Sequence, residues 1–488
     1  MANFIDHLYQ FSPIWAQQIM VAVYGVWWYR RRFGPPFQRL LAEFNVRERW
    51  TAEQFQAYQE RQLQKVLEAA WRTPYYRLVF KEVGITQNAP PFEVLKQLPF
   101  LSKETLRTRA KDLLSQNPPP KGTIMFKSSG TTGTPTEIYY TRQFQTLEIV
   151  MGVSRNLHWA NTNHRERRVM FGVRKVCRYD QNKPPFWRFS PVENMAYASI
   201  YHLSPKFLPY YLDFLDEYHP AVIMGYPSAL QTVARFALEN GKLPQPAKLV
   251  VTTSETVIAQ ARRVIETAWQ CRVYDRYGAV EGCLLASQCE YGRYHVSPDV
   301  GIIEIVNQEG QPCPPNVLGE IVCTGLQNTL QPLIRYRIGD AARWASPQQC
   351  PCGRAMPILE AIEGRLEDIC YTPDGRQMLR FDTVFKGVEN IREAQVVQEC
   401  LDLFTIYVVP ANGFDQRDVE QIKNNMRLHV GNVETHVKPV SFIARTSSGK
   451  FRAVICNLPR EQKEMLQRRR NELDNLLNLQ DLKFTSKI

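Results

Sequence analysis

"TIMFKSSGTTGTPTEIYYT", residues 123–141, decides how the chain is to be read. Its centre, Ser128 to Thr136, holds two glycines, six hydroxyl side chains and one proline. The flanks, Thr123–Phe126 and Glu137–Thr141, are rich in β-branched and aromatic residues, so the segment reads as strand–loop–strand. An ordinary nucleotide-binding P-loop needs strand–loop–helix and a Gly-Lys-Ser/Thr ending, and neither is written here. Backbone N–H groups of such a turn can still form a concave anion site, to which Ser128, Ser129, Thr131, Thr132 and Thr134 add hydroxyl donors. Gly130 and Gly133 permit close approach and positive φ. The cation missing from the loop has a distant candidate, Lys450 in "TSSGKFR", carried on a second glycine loop from which an ammonium group could reach a reacting phosphate.

Outward from that loop, "NPPPKG" (117–122) is a stiff connector that neither a helix nor a central strand accommodates. Upstream, residues 52–83 carry helical periodicity, with Phe55, Tyr58, Leu63, Val66, Leu67 and Ala70 on one stripe. Downstream, from about 205 to 285, helices alternate with short apolar strands: "AVIMGYPS", "KLVVTTSE" and "CRVYDRYGAVEG" are the strands. That alternation predicts a mostly parallel sheet with ligand-binding loops at the strand ends. Residues 296–344 read as shorter β segments. Beyond "EGRLEDICYTPDGR" come strands at 394–398 and 403–409, a polar helix at 415–430 and a third strand at 435–443, which together form a compact α+β module. The expected organisation is a helical extension over 1–50, a large domain over 51–368, a small domain over 369–458 and a helical tail over 459–488.

At 488 residues, 44% hydrophobic and 11% aromatic, the chain has ample material for packed cores and is not a disordered protein. A net charge of +12 suits anionic partners, but no zinc-finger pair or aromatic–basic platform supports a nucleic-acid reading. Eleven cysteines, an odd number scattered without a signal-peptide pattern, argue for a reducing cytoplasm and against a disulfide framework. Near the N-terminus an apolar stretch is interrupted by Gln17 and Gln18, runs on near Ile19 to Trp28 and is closed by Arg30, Arg31 and Arg32. It is short for a bilayer span and reads as a packed helix or as an interfacial membrane foot.

Two carboxylates sit where ligands would. Glu281 in "YGAVEG" follows a strand and could hold Mg²⁺. Asp340 in "IRYRIGD" could accept hydrogen bonds from ribose hydroxyls. "SSGTTGTPT", "YGAVEG", "YRIGD", "GRLEDI" and "SSGKFR" stand in the order of the core motifs of adenylate-forming enzymes, which the chain resembles over roughly residues 50 to 457. The finer resemblance, carried by "GYPSAL", "TTSE", "PLIRYRIGD" and "SGKFRAVI", is to the phenylacetate–CoA ligase branch, including capsular polysaccharide biosynthesis proteins.

That resemblance implies an α/β fold: a large N-terminal adenylate-forming domain of mixed β-sheets with packed helices, and a small mobile α+β C-terminal domain. It implies that Ser128 to Thr134 cradle the β- and γ-phosphates of ATP. Glu281 would bind Mg²⁺, and Ser254, Glu255, Tyr277 and Gly278 would border the adenine. Asp340 and Arg365 would hold the ribose, Asp368 would be the hinge, and Lys450 would contact the carboxylate and the α-phosphate. Gly225, Tyr226, Pro227 and Ala279, together with the aromatic segment 171–201, would shape the acyl pocket. Many relatives end the first loop in lysine where this chain has Thr136, a change that recurs in the phenylacetate branch.

"QCEYGRYH" and "CPCGR" supply Cys289, His295, Cys350 and Cys352, three thiols and an imidazole that suit a closed, structural tetrahedral Zn²⁺. Similar Cys/His sets occur in the branch that the chain resembles, whereas Cys283, Cys313 and Cys323 read as ordinary buried thiols. His158 and His202 read as packed or surface residues, because adenylation of an ionised carboxylate needs no base.

The expected function is ATP- and Mg²⁺-dependent activation of a small-molecule carboxylic acid as an acyl- or aryl-adenylate, with transfer to coenzyme A. Transfer to an amine, a hydroxyl or a carrier-protein thiol is the alternative. A non-catalytic nucleotide-binding scaffold in surface polysaccharide biosynthesis is the rival from another class. Membrane contact through the termini and a homodimer are left open.

Overall fold

The computed structural model describes residues 2–127, 136–172, 174–178, 180–365, 368–373, 377–378, 381–385, 387–388, 390–446, 450–459, 461–463 and 465–466. The chain divides into two compact units, Met1–Ile362 and Glu363–Ile488.

The first unit opens with helices α1 (Ala2–Phe11), α2 (Ile14–Arg32) and α3 (Pro36–Arg47), followed by α4 (Ala52–Ala70), α5 (Pro74–Val83), α6 (Pro91–Gln97) and α7 (Lys103–Thr108). The periodic stretch 52–83 is thus two helices. Thr51 opens α4 in a reciprocal capping box with Gln54. Thr73 caps α5 just ahead of Pro74, and Gly84, at φ +76°, ends it. Every residue of the predicted stripe, from Phe55 to Ala70, is buried.

Strands β1 (Ile124–Lys127) and β2 (Glu137–Tyr140) pair antiparallel, Lys127 opposite Glu137. The strand–loop–strand reading therefore holds at both flanks, while residues 128–135 of the loop lie outside the described residues. Helix α8 (Arg142–Gly152) runs on into a π-helical turn, Val153–His158.

The alternating region follows as β3 (Arg168–Gly172), β4 (Trp187–Ser190), β5 (Met195–Ser199), α9 (Leu208–Tyr218), β6 (Val222–Gly225), α10 (Pro227–Glu239), β7 (Leu249–Thr253), α11 (Ala259–Trp269) and β8 (Val273–Gly278). Six more strands come next: β9 (Leu285–Gln288), β10 (Tyr294–Val296), β11 (Gly301–Val306), β12 (Gly319–Gly325), β13 (Tyr336–Trp344) and β14 (Ile358–Arg365). Among the described residues, β3 to β14 form one sheet in the order β11-β12-β13-β14-β10-β9-β8-β7-β6-β3-β5-β4. Its run β5-β3-β6-β7-β8 is parallel. Those central strands are nearly continuous apolar runs because helices cover them, and Val222, Ile223, Leu249 and Val250 are fully buried. The carboxyl ends of β3, β6, β7 and β8 consequently lie along one edge, where open α/β sheets place their ligands.

A buried ionic knot ties the N-terminal helices to this body. Arg155, in the π-helical turn, donates to Asp299 at 3.0 Å, and both side chains are fully buried. Arg47 reaches the same carboxylate at 3.5 Å. Glu48 lies 3.5 Å from Arg155.

In the second unit β15 (Cys370–Tyr371) pairs with β16 (Gln377–Met378). Strands β17 (Ile391–Cys400) and β18 (Leu403–Pro410), helix α12 (Gln416–His429), and strands β19 (Glu434–Pro439) and β20 (Val454–Cys456) follow. The sheet order is β19-β18-β17-β20, and Phe404, Ile406, Val408, Ile422 and Met426 form its core. The third strand stops at Pro439 and not at 443, where its partner β18 also runs out at Pro410; a last bond, from the Val440 N–H to the Val408 carbonyl at 2.8 Å, closes the ladder. Strand β20, directly after the lysine loop, was not expected from sequence. Of the expected C-terminal tail, residues 467–488 lie outside the described residues.

Candidate functional site

The carboxyl edge of the parallel strands gathers several of the singled-out residues. At the end of β6, Gly225 passes so close to β3 that a Cβ there would meet the Phe171 carbonyl oxygen at 2.6 Å. Tyr226 and Pro227 then turn the chain into α10. Glu255, just beyond β7, accepts the Ser228 N–H at 3.0 Å. A carboxylate on a helix N-terminus in this way contributes about 0.3–1 kcal/mol and holds its own loop in place. Ser254 beside it takes φ +71°, a left-handed conformation uncommon outside glycine. The Ser254–Glu255 and Gly225–Pro227 segments, read separately from sequence, are therefore one hydrogen-bonded corner.

The next strand end carries the two carboxylates. Tyr277, in β8, donates its hydroxyl to Asp340 Oδ2 at 2.7 Å. Gly278 is exposed beside it and Ala279 is half-buried. Glu281 is buried and accepts from the Tyr336 hydroxyl at 3.0 Å. Burial, and then the adjoining Glu281, pushes the Tyr336 phenol far above its usual range, so it stays a donor. Tyr336 and Asp340 both lie in β13, on either side of the point where its register against β12 shifts and Gly339 takes φ +81°. Gly282 sits at φ +63°, where a Cβ would strike the Phe144 ring at 2.6 Å, so the turn after Glu281 demands glycine. The Tyr140 hydroxyl bonds the Val280 carbonyl at 2.6 Å, which fastens the hairpin below the hydroxyl-rich loop to the Glu281 turn. Gln331 holds the other side of that hairpin through the Tyr139 N–H and the Glu137 carbonyl. Residues Ser128, Ser129, Gly130, Thr131, Thr132, Gly133 and Thr134 themselves fall among the residues not described.

Sequence reasoning passed over Tyr336, Tyr140 and Gln331. The one available signal was that Tyr336 stands in the same short motif as Asp340, four residues before it. The other two act across long sequence gaps that no local pattern reveals.

The aromatic segment before β5 fills core. Phe171 and Phe186 are fully buried, and Trp187 stacks on Phe214 with ring centroids 4.2 Å apart. His202 is buried, with Nδ1 2.8 Å from Ser199 Oγ and its ring stacked on Phe186. His158 faces Asn45 Oδ1 at 3.1 Å.

The second unit holds the remaining candidates. Lys450 donates its backbone N–H to Thr446 Oγ1 at 3.0 Å, and Thr446 returns its N–H to the Lys450 carbonyl at 2.9 Å. The lysine loop is thereby pinched at its base. Two residues on, Arg452 forms an ion pair with Asp368, so the lysine loop and the expected hinge residue are joined by one guanidinium. Arg365 ends β14.

Cys289, His295, Cys350 and Cys352 converge in the first unit, their ligand atoms all within 4.8 Å of one another. Cys289 lies in the β9–β10 turn, His295 in β10, and the other two in a turn in which Gly353 takes φ +74° and donates to the Cys350 carbonyl. His295 is fully buried and its Nδ1 lies 3.3 Å from the Met356 carbonyl. That contact leaves Nε2 facing Cys352 Sγ at 3.3 Å, the orientation in which an imidazole offers its lone pair to a cation. Burial holds the imidazole down at about 4 and pushes the Cys350 thiol up to about 12. Three sulfurs and one nitrogen at this spacing fit a tetrahedral soft-metal site. Cys283, Cys313 and Cys323 are buried in the main core, as expected.

Comparison with known proteins places this geometry. Residues 370–457 match the family described as the CapK C-terminal domain. Protein CapK of Staphylococcus aureus is 23% identical over 460 residues, spanning 93% of this chain and 100% of the relative. A phenylacetate–coenzyme A ligase of Thermus thermophilus is 26% identical over 327 residues, 65% of this chain and 72% of the relative. Among solved structures, 2-hydroxyisobutyryl-CoA ligase, captured after adenylation with an acyl-AMP, superposes with a TM-score of 0.66 at 21% identity, over 87% of this chain and 94% of that one. The shared fold agrees with the resemblance carried by the five motifs: this is the adenylate-forming fold, and the sequence relatives are a CapK protein and phenylacetate–CoA ligases.

Proposed function

We propose that the protein is an AMP-forming ligase. It joins a carboxylic acid to AMP from ATP, releases pyrophosphate and then passes the acyl group to coenzyme A. The observation that carries this reading is the pairing of two tyrosine-held carboxylates, Tyr336–Glu281 and Tyr277–Asp340, at the carboxyl edge of the parallel strands. Its sequence relatives include phenylacetate–CoA ligases.

In this reading the acid's carboxylate attacks the α-phosphorus, the bond from that phosphorus to the bridging oxygen breaks, and pyrophosphate leaves. Asp340 and Arg365 hold the ribose, and the Ser254–Glu255 corner with Tyr277 and Gly278 borders the adenine. Ser128 to Thr134 grip the outer phosphates. Gly225, Tyr226, Pro227 and Ala279 contribute to the acyl pocket. Lys450 supplies the ammonium group that offsets charge gathering at the α-phosphate, and Asp368 serves as the hinge. Mg²⁺ would be held through Glu281, a single carboxylate being usual for this ion on phosphates, and would offset phosphate charge. The thiol of coenzyme A then attacks the acyl carbon of the mixed anhydride and AMP departs with the electron pair.

Incubation with a panel of aryl, fatty and amino acids, ATP and hydroxylamine reads adenylation whatever the acceptor. Added coenzyme A should then yield an acyl thioester. Hydroxamate formation with no thioester from any acid would move the acceptor to an amine, a hydroxyl or a carrier thiol. Nucleotide binding without pyrophosphate release would reduce the protein to a scaffold.

We further infer that the Cys289–His295–Cys350–Cys352 cluster holds a structural Zn²⁺. All four donors are used, which leaves no position for catalysis. Elemental analysis should find about one zinc per chain, and Cys350→Ser should lose it with a fall in thermal midpoint. A metal-free wild-type protein of unchanged stability would sink this assignment.

A further inference from the structure

Helix α2 is packed the opposite way from an ordinary surface helix. Its inward face carries Gln17, Gln18, Gly25, Trp28 and Arg32, and the anchoring contacts are polar. Strand β4 is the last strand of the sheet, and Gln18 completes its open edge. The Gln18 amide donates to the Phe189 carbonyl at 2.5 Å and accepts the Phe189 N–H at 3.0 Å, as a neighbouring strand would. Gln17 Oε1 accepts from the fully buried Arg188 at 3.1 Å. Gly25 presses so closely on Ser190 that a Cβ would stand 2.3 Å from its hydroxyl. The glutamines that interrupt the apolar run in the sequence are thus what fixes the helix's rotation.

That rotation turns the apolar residues outward. Trp15, Ile19, Val23 and Trp27, one every four residues, are 69%, 55%, 65% and 51% exposed, and Phe11 at the end of α1 is 62% exposed. A continuous apolar stripe of this extent marks an interaction surface. Val23, Val26 and Trp27 line a groove of about 510 Å³ whose other walls are Arg30, Arg31 and Arg142. Residues 1–32 contain one acidic residue, Asp6, against Arg30, Arg31 and Arg32. No helix among the described residues is long and apolar enough to cross a membrane.

We propose that this face docks on an anionic lipid bilayer. Helix α2 lies in the plane of the interface, Trp15, Val23 and Trp27 enter the headgroup–acyl boundary, and Arg30 and Arg142 meet lipid phosphates. Three features favour a bilayer over a protein groove as the occupant. The stripe follows one helix from Trp15 to Trp27, about 18 Å at 1.5 Å per residue, and so presents an extended surface rather than a knob. Its largest members are tryptophans, which prefer the membrane interface. Arg30 and Arg142 stand at one end of the apolar stripe, the combination by which interfacial helices bind anionic lipids. This docking is independent of the acceptor chosen by the ligase.

The test is flotation of the full chain with vesicles of phosphatidylcholine alone or mixed with phosphatidylglycerol. Wild-type protein should float with the mixed vesicles and bind neutral ones at least about tenfold more weakly. Val23→Glu with Trp27→Glu, both at exposed positions, should leave the thermal midpoint and the hydroxamate assay unchanged yet abolish flotation. Arg30→Gln with Arg142→Gln should lower partitioning by about tenfold or more and remove most of its salt dependence. Wild-type protein that floats with neither vesicle, or a V23E/W27E variant that floats like wild type, overturns the proposal. So does a concentration-dependent dimer that the same variant dissolves, since a second copy would then be the occupant.

Discussion

The Tyr336 hydroxyl donates to Glu281 Oε1 at 3.0 Å, inside the first unit, and this one contact sets the direction of the carboxylate proposed to hold Mg²⁺. Tyr336→Phe removes a single oxygen from a buried side chain and leaves the ring's packing intact. The loss of a hydrogen bond to a charged group, about 1.5–3 kcal/mol, predicts a fall of roughly tenfold to a hundredfold in pyrophosphate release. Raised Mg²⁺ should recover part of it. An unchanged rate at low Mg²⁺ would show that Glu281 needs no orienting donor.

Asp340 should govern ATP affinity through both its ligand contact and its bond from Tyr277. Asp340→Ala is expected to raise the KM for ATP well beyond the effect of Tyr277→Phe, because the tyrosine only steadies the carboxylate. Steady-state kinetics of the two variants, with circular dichroism to confirm folding, compare the two roles. Equal effects would assign the ribose contact to Tyr277 instead.

Lys450→Ala should cost adenylation about a hundredfold to a thousandfold, the range for losing one transition-state donor. Thioester formation from chemically prepared acyl-AMP should be nearly spared. Arg452→Gln, which removes the ion pair to Asp368 without touching the lysine, is expected to alter both half-reactions. A Lys450→Ala enzyme equally poor in both would separate the lysine from phosphorus chemistry.

The knot of Arg155, Arg47 and Asp299 makes a stability prediction. Asp299→Ala leaves a fully buried guanidinium without its closest carboxylate, and removing one partner of such a pair typically costs 3–5 kcal/mol. Urea unfolding should show it, and Asp299→Ala with Arg155→Met should recover much of the loss.

A pH dependence follows from His164. Burial against Phe33 and Phe37, with repulsion from Arg168 and Arg165, holds its imidazole down at about 4. A histidine depressed in the folded state stabilises fully above its unfolded value of about 6.5, and that stability drains away as pH falls toward 4. His164→Gln should therefore lessen the pH slope of unfolding between 4 and 6.5 by up to about one proton, as measured by denaturant titration across that range.

Much of the architecture was legible because its causes are local. Short apolar runs, split by amphipathic segments, define β6 and β7 with their helices, since a covered parallel strand has little choice of side chain. Thr73 with Pro74 and Gly84 mark helix ends through their own backbone requirements. Cys289, His295, Cys350 and Cys352 drew notice by residue type, and Glu281 and Asp340 by their motifs. The sign of α2 was not legible. A glutamine inside an apolar run reads as a flaw, and only the open edge of β4 makes it an anchor.

By itself, then, the order of residues determined the helix–strand alternation, the candidate carboxylates and lysine, and the four Cys/His candidates, because these depend on propensity and chemical type within a few positions. Tertiary structure alone decided that Tyr336 aims Glu281, that Arg452 binds Asp368 and that α2 turns its apolar side to solvent. Each of these is a meeting of side chains far apart along the chain, and the free energy that selects it, burial against hydrogen bonding at one shared surface, exists only once both partners are in place.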